Sequence, residues 1–123
     1  MIPAPIQRTR DGILERLNAL RFAEDAALVE GLPAADKVQA ILEDLVEEGL
    51  AVRFSAGLYA HPKAVSEAKE TLAKQFPEGF TASQAREHLG TNRKLAIPFL
   101  EYLDTQGFTK RQGDVRVLTV ALS

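Results

Sequence analysis

The side chains best placed to do chemistry in this chain are cations at two spots. Thr91-Asn92-Arg93-Lys94 opens a helix pattern, and Lys110, Arg111 and Arg116 surround Gly113-Asp114 further along. A helix N-terminus offers unpaired amide N–H groups and the positive end of a dipole, so two fixed cations there make a phosphate site. Cations on a following hairpin extend such a site along a nucleic-acid backbone. Alone, Arg93-Lys94 is an ordinary solvated pair; together with Lys110, Arg111 and Arg116 on one module, phosphate binding becomes the better reading.

Other chemistry finds little support. His61 and His88 stand apart from each other and from any HExxH spacing, His61 as a residue between helices and His88 on a helix surface. Pairs such as Glu47-Glu48 fall on a solvated helix face, and the absence of Cys excludes disulfides, thiolate zinc sites and thiol nucleophiles. No enzymatic role and no metal are therefore expected. Charged residues, Gly or Pro interrupt every apolar run well before the roughly 18 residues of a membrane span. Met1-Ile2-Pro3-Ala4-Pro5-Ile6-Gln7-Arg8 is too short and proline-rich for a signal peptide, so a cytoplasmic location and no membrane partner are expected.

The elements that must hold the cations follow from local signals. Pro62 opens a helix with the apolar stripe Val65, Ala68, Leu72 and Phe76, stopped by Pro77-Glu78-Gly79. Thr81-Ala82-Ser83-Gln84 is a capping-box pattern, with Phe80 placed to staple onto Ala85, opening a short helix from 82 to about 89 that ends at Gly90. A third helix, from about 93 to 106, turns Ala96, Phe99, Leu100 and Leu103 inward. A start near Leu95 would put Pro98 in its first turn, where a missing N–H matters little. Residues 108–112 and 115–120 then read as strands joined by a two-residue turn at Gly113-Asp114.

The same order is written twice. Leu42 to Ala60 lays over Leu100 to Leu118 without a gap at an offset of 58, with identities at Leu42/Leu100, Glu43/Glu101, Leu45/Leu103, Gly49/Gly107 and Arg53/Arg111. Upstream, one helix is expected over 11–20, a second near 23–30, and a third opening at the capping-box pattern Asp36-Lys37-Val38-Gln39. A hairpin through Ser55-Ala56-Gly57 closes that copy. The fold class is thus mainly α with small β-hairpins: two tandem winged-helix modules, residues 1–61 and 62–123, meeting at His61-Pro62.

The formal charge of −2 conceals a division between the copies. Residues 1–62 hold six Lys and Arg against ten acids, a net of −4, whereas residues 63–123 hold nine against seven, a net of +2. In the first copy the third helix carries Glu43, Asp44, Glu47 and Glu48, which repel phosphate. Only the second copy has the charge of a nucleic-acid binder.

Leu89-Gly90-Thr91-Asn92-Arg93-Lys94, the run Leu100-Glu101-Tyr102-Leu103-Asp104, Gly107-Phe108-Thr109-Lys110-Arg111 and Arg116-Val117-Leu118 resemble the C-terminal winged helix of bacterial selenocysteine-specific translation elongation factors, the SelB family. The resemblance covers about 40 residues strongly and extends more weakly through the first copy. It implies the last two modules of a longer factor, whose N-terminal part binds GTP and selenocysteinyl-tRNA at the ribosome. This chain has no GxxxxGK[ST], so no cofactor is expected here. It also implies a monomer whose last module binds an mRNA hairpin, the selenocysteine insertion element, behind an acidic spacer module. The site residues implied are Thr91, Asn92, Arg93, Lys94, Lys110, Arg111, Gly113, Arg116 and Val117, the last or a neighbour lying against a flipped-out base. Gln112 departs from the basic or apolar residue expected in the wing.

Two alternatives stay open on residues alone. A DNA-binding transcription regulator would normally dimerise, yet no long amphipathic dimerisation helix is visible. A protein-docking pair of winged helices would carry an exposed apolar patch in place of a basic one.

Overall fold

The computed structural model describes residues 3–119. The chain divides into two compact units, Met1–Ala64 and Val65–Ser123, three residues beyond the His61-Pro62 junction and inside the first turn of a helix.

The first unit contains α1 (Ala4–Leu20), β1 (Phe22–Glu24), α2 (Asp25–Val29), α3 (Val38–Glu47), β2 (Val52–Ser55) and β3 (Leu58–Ala60). Helix α1 begins seven residues earlier than the sequence pattern suggests. Pro3 is its N-cap and Pro5 lies in the first turn, where a proline removes no helical hydrogen bond. Its inward face, Ile13 and Leu17, packs with Leu28, Ile41, Leu42, Leu45 and Tyr59 in one core. Arg10 on α1 holds Glu48 beyond α3 through both guanidinium ends, at 2.6 and 3.1 Å. That contact raises the pKa of Arg10 and lowers that of Glu48.

The second unit contains α4 (Pro62–Gln75, its first turn shared with the first unit), β4 (Phe80–Thr81), α5 (Ala82–Leu89), α6 (Arg93–Thr105), β5 (Thr109–Gln112) and β6 (Val115–Leu118). His61 Nδ1 accepts from the Lys63 amide at 3.1 Å and so caps the start of α4. Val65, Ala68 and Leu72 are buried as their spacing requires, while Phe76, just past the helix, meets the rings of Phe80 and His88. The Thr81/Gln84 capping box is complete in both directions, and Gly90 ends α5 with φ +67°. The inward face of α6 is Leu95, Ala96, Phe99, Leu100 and Leu103, all buried.

Five expectations change. Each unit has a short strand before its second helix, which makes a three-stranded antiparallel sheet of each hairpin, ordered β1-β3-β2 and β4-β6-β5. The Asp36–Gln39 capping box does not form: residues 35–37 make a 3-10 turn, with the Lys37 amide on the Ala34 carbonyl, so Asp36 lies inside the turn. Because α6 starts at Arg93, Pro98 is its sixth residue. It therefore removes one interior hydrogen bond instead of sitting harmlessly in the first turn. Strand β6 ends at Leu118; Val120, also expected in it, falls outside the described residues.

The fifth change concerns the repeat. Its offset of 58 holds through the helices, where buried Ile41, Leu42 and Leu45 match Phe99, Leu100 and Leu103. In the wings it slips. Phe22 stands opposite Ala60, which pairs with Val52; Phe80, its counterpart, stands opposite Arg116, which pairs with Arg111. The first hairpin carries a register irregularity between Arg53 and Ser55 and so needs more residues to close.

Candidate nucleic-acid interface

In the second unit, the turn between α5 and α6 is fixed from its own sequence. Asn92 is extended, and its Oδ1 accepts the Leu95 amide at 3.0 Å, which caps α6 and leaves Arg93 and Lys94 exposed on its first turn. The Thr81 cap sets the start of α5 in the same way, followed by Ser83 and Arg86. The wing turns at Gly113, whose φ of +66° suits glycine and whose carbonyl accepts from Arg111 Nε at 3.1 Å.

These elements enclose a cleft of about 330 Å³ between the start of α5, the first half of α6 and the wing. Four arginines line it: Arg86, Arg93, Arg111 and Arg116, with one acid, Asp114. Arg111 and Arg116 are direct cross-strand partners, so their side chains leave the same face of the sheet. Two like charges opposed in this way are unfavourable unless anions compensate them.

The structure separates the residues singled out from the sequence. Arg93, Arg111 and Arg116 come together in the cleft, and Thr91, Asn92 and Lys94 stand on the turn beside it. Lys110 pairs with Val117 one step along the ladder, so both point from the opposite face of the wing to Arg111 and Arg116. Arg116 differs most from expectation. Its side chain is 8% exposed, and its Nε donates to Asp104 Oδ2 at 3.0 Å. Asp104 also accepts from the Thr109 hydroxyl at 2.6 Å. Arg116 is therefore a braced group in the cleft wall, not a solvated wing cation. Arg86 and Ser83 were missed; the signal available was their place on the first turns of a capped helix that leads into the recognition turn.

The groove seen in the first unit has a different character. It lies between α1 and α3 and is lined by Gln7, Arg10, Asp44, Glu47 and Glu48, with Arg10 already spent on Glu48. Burial pushes the Tyr59 hydroxyl pKa up, as befits a core residue.

Each unit is thus a winged helix, and the second presents a capped basic turn and an arginine-lined cleft, the features of a nucleic-acid-binding module of that class. Residues 70–118 match the family model described as elongation factor SelB, winged helix. Over 41 residues, 33% of this chain, the sequence is 51% identical to the selenocysteine-specific elongation factor of Escherichia coli (strain K12). That alignment spans 7% of the longer protein. Among solved structures, the mRNA-binding domain of elongation factor SelB from E. coli in complex with SECIS RNA superposes with a TM-score of 0.73 at 23% identity, covering 91% of this chain and 98% of that one. A bacterial selenocysteine-specific elongation factor, EF-Sec, superposes with a TM-score of 0.76 at 24% identity, covering 97% of this chain and 20% of that one. At those identities the structures establish the fold.

Proposed function

We propose that this chain is the C-terminal part of a selenocysteine-specific translation elongation factor and binds an mRNA hairpin, the selenocysteine insertion element. The observation that carries the reading is the four-arginine cleft on the module that matches the SelB family. A cleft beside a helix N-terminus suits a hairpin with an extruded base, because A-form RNA hides its major groove and exposes readable edges in loops and bulges. Thr91, Asn92, Arg93, Lys94, Lys110, Arg111, Gly113, Arg116 and Val117 remain the proposed contacts, now joined by Arg86 and Ser83. In this reading the first unit is an acidic spacer. The segment performs no catalytic step and binds no cofactor; GTP, selenocysteinyl-tRNA and ribosome contacts belong to the remainder of a cytoplasmic factor. Its role is to tether that factor at a recoded UGA codon.

The test is titration with a bulged RNA hairpin of the selenocysteine insertion type, the matching DNA hairpin and duplex DNA, each at two salt concentrations. Monomeric binding to the RNA alone, with log K falling as roughly three to five phosphates are neutralised, is expected. Equal affinity for DNA would favour a transcription-regulator role and sink the proposal.

A further inference from the structure

We infer that Asp104 is a positioning residue for RNA binding: it holds Arg116 so that the outer nitrogens of the guanidinium serve the cleft. The inference rests on the RNA reading above, and three observations carry it.

The first is how the guanidinium is used. Among the described residues, the side-chain hydrogen bonds of Arg116 run from Nε to Asp104, at 3.0 and 3.3 Å. Arg116 also lines the cleft. A guanidinium carries five donors in a rigid fork, so engaging Nε fixes the plane while Nη1 and Nη2 stay available to an anion. Thr109, 2% exposed, bonds the same carboxylate and limits its rotation.

The second is that the fold has an apolar solution at the same place. The position of Asp104 on α6 corresponds to Val46 on α3, and the sheet row Phe80–Arg116–Arg111 corresponds to Phe22–Ala60–Val52. The first unit therefore builds its wing with no charge at any of these places. A largely buried ion pair adds little net stability over apolar packing, because desolvation offsets the attraction. Folding alone does not call for Asp104 and Arg116.

The third is electrostatic. Arg111 and Arg116 project from one face as cross-strand partners. Left loose, the two guanidinium groups would turn apart; Asp104 holds one of them in place so that an anion meets two convergent cations.

The inference makes a prediction opposite to simple charge counting. Asp104→Asn removes a negative charge beside a polyanion site, which by Coulomb attraction alone strengthens RNA binding. Positioning predicts a loss of about tenfold or more, the size of a lost charge-assisted hydrogen bond. The experiment measures the affinity of the full chain for the bulged RNA hairpin, with melting temperature alongside, for wild type, Asp104→Asn, Arg116→Ala and the double variant. Expected are comparable losses in both single variants and no further loss in the double. Asp104→Asn binding as tightly as wild type, or losses that multiply in the double, overturns the inference while leaving the RNA reading intact. A wild-type chain that ignores the hairpin overturns both. Should Asp104→Asn fail to fold, Arg116→Lys poses the same question. One ammonium cannot both hold Asp104 and present a fork to the cleft, so about tenfold weaker binding is expected, and full affinity with lysine overturns the inference.

Discussion

Arg93 and Lys94 look interchangeable in the sequence, as do Lys110 and Arg111, yet the fold gives the members of each pair different surroundings. Arg93 lines the cleft and Lys94 stands beside it; Arg111 lines it and Lys110 leaves from the other face of the wing. Arg93→Ala is therefore expected to weaken hairpin binding by about 1–3 kcal/mol, and Lys110→Ala by less. Lys37→Ala, on the 3-10 turn of the first unit, is expected to leave affinity unchanged. Equal losses at Arg93 and Lys37 in a filter-binding or fluorescence titration would move the site off the second unit. The opening of α6 near Arg93 was legible from the local run Thr91-Asn92-Arg93-Lys94, and the Asn92 cap that fixes it reaches only three residues, to Leu95. The environment of Arg116 was not, since Asp104 is twelve residues back and only the strand register brings the two together. Arg86 was passed over for a similar reason: nothing local tells which helix start faces the wing.

At the level of elements, the long periodic helices and the glycine turn of the second hairpin could be read directly. Strands β1 and β4 could not, being three and two residues long, too short for any alternation to register. They exist because the inner hairpin strand has a free edge to satisfy, which is tertiary information. The Asp36–Gln39 pattern shows the converse failure, where a correct local signal yields to a 3-10 turn that places Asp36 inside it. The α1–α3 connection through Arg10 and Glu48 yields a pH prediction. The folded-state pKa of Glu48 is lowered, mainly by its hydrogen bond from Arg10. Its contribution to stability is therefore present above the unfolded carboxylate value and is lost as pH falls through the lower folded value. Thermal melts of wild type and Glu48→Gln should differ slightly at neutral pH and converge in acid; a gap that persists or widens there would show that the pair is not the cause. The effect is small because Glu48 is half exposed.

For the molecule as a whole, two copies of one fold have been given opposite electrostatic characters, and the total of −2 reports neither. The repeat was legible through its helices, but the ungapped overlay misaligned the wings, where a longer, irregular first hairpin places apolar Ala60 and Val52 where the second unit has two arginines. Glu43, Asp44, Glu47 and Glu48, described above as a face unsuited to phosphate, also bear on the kinetics of encounter. At about 0.1 M salt, charges are felt over roughly 10 Å, so an approaching RNA meets local charge and not the molecular sum. On the proposed function, collisions on the first unit are expected to be short-lived and those reaching the arginine cleft to persist. Glu43→Gln with Glu47→Gln is accordingly expected to increase weak binding to duplex RNA of arbitrary sequence while scarcely changing the dissociation rate of the cognate hairpin, as stopped-flow measurements can show. Unchanged weak binding would deny the acidic face any part in the encounter. If the proposed function holds, that face would shorten the search for a rare message hairpin among abundant other RNAs by keeping half of the segment from sticking to them.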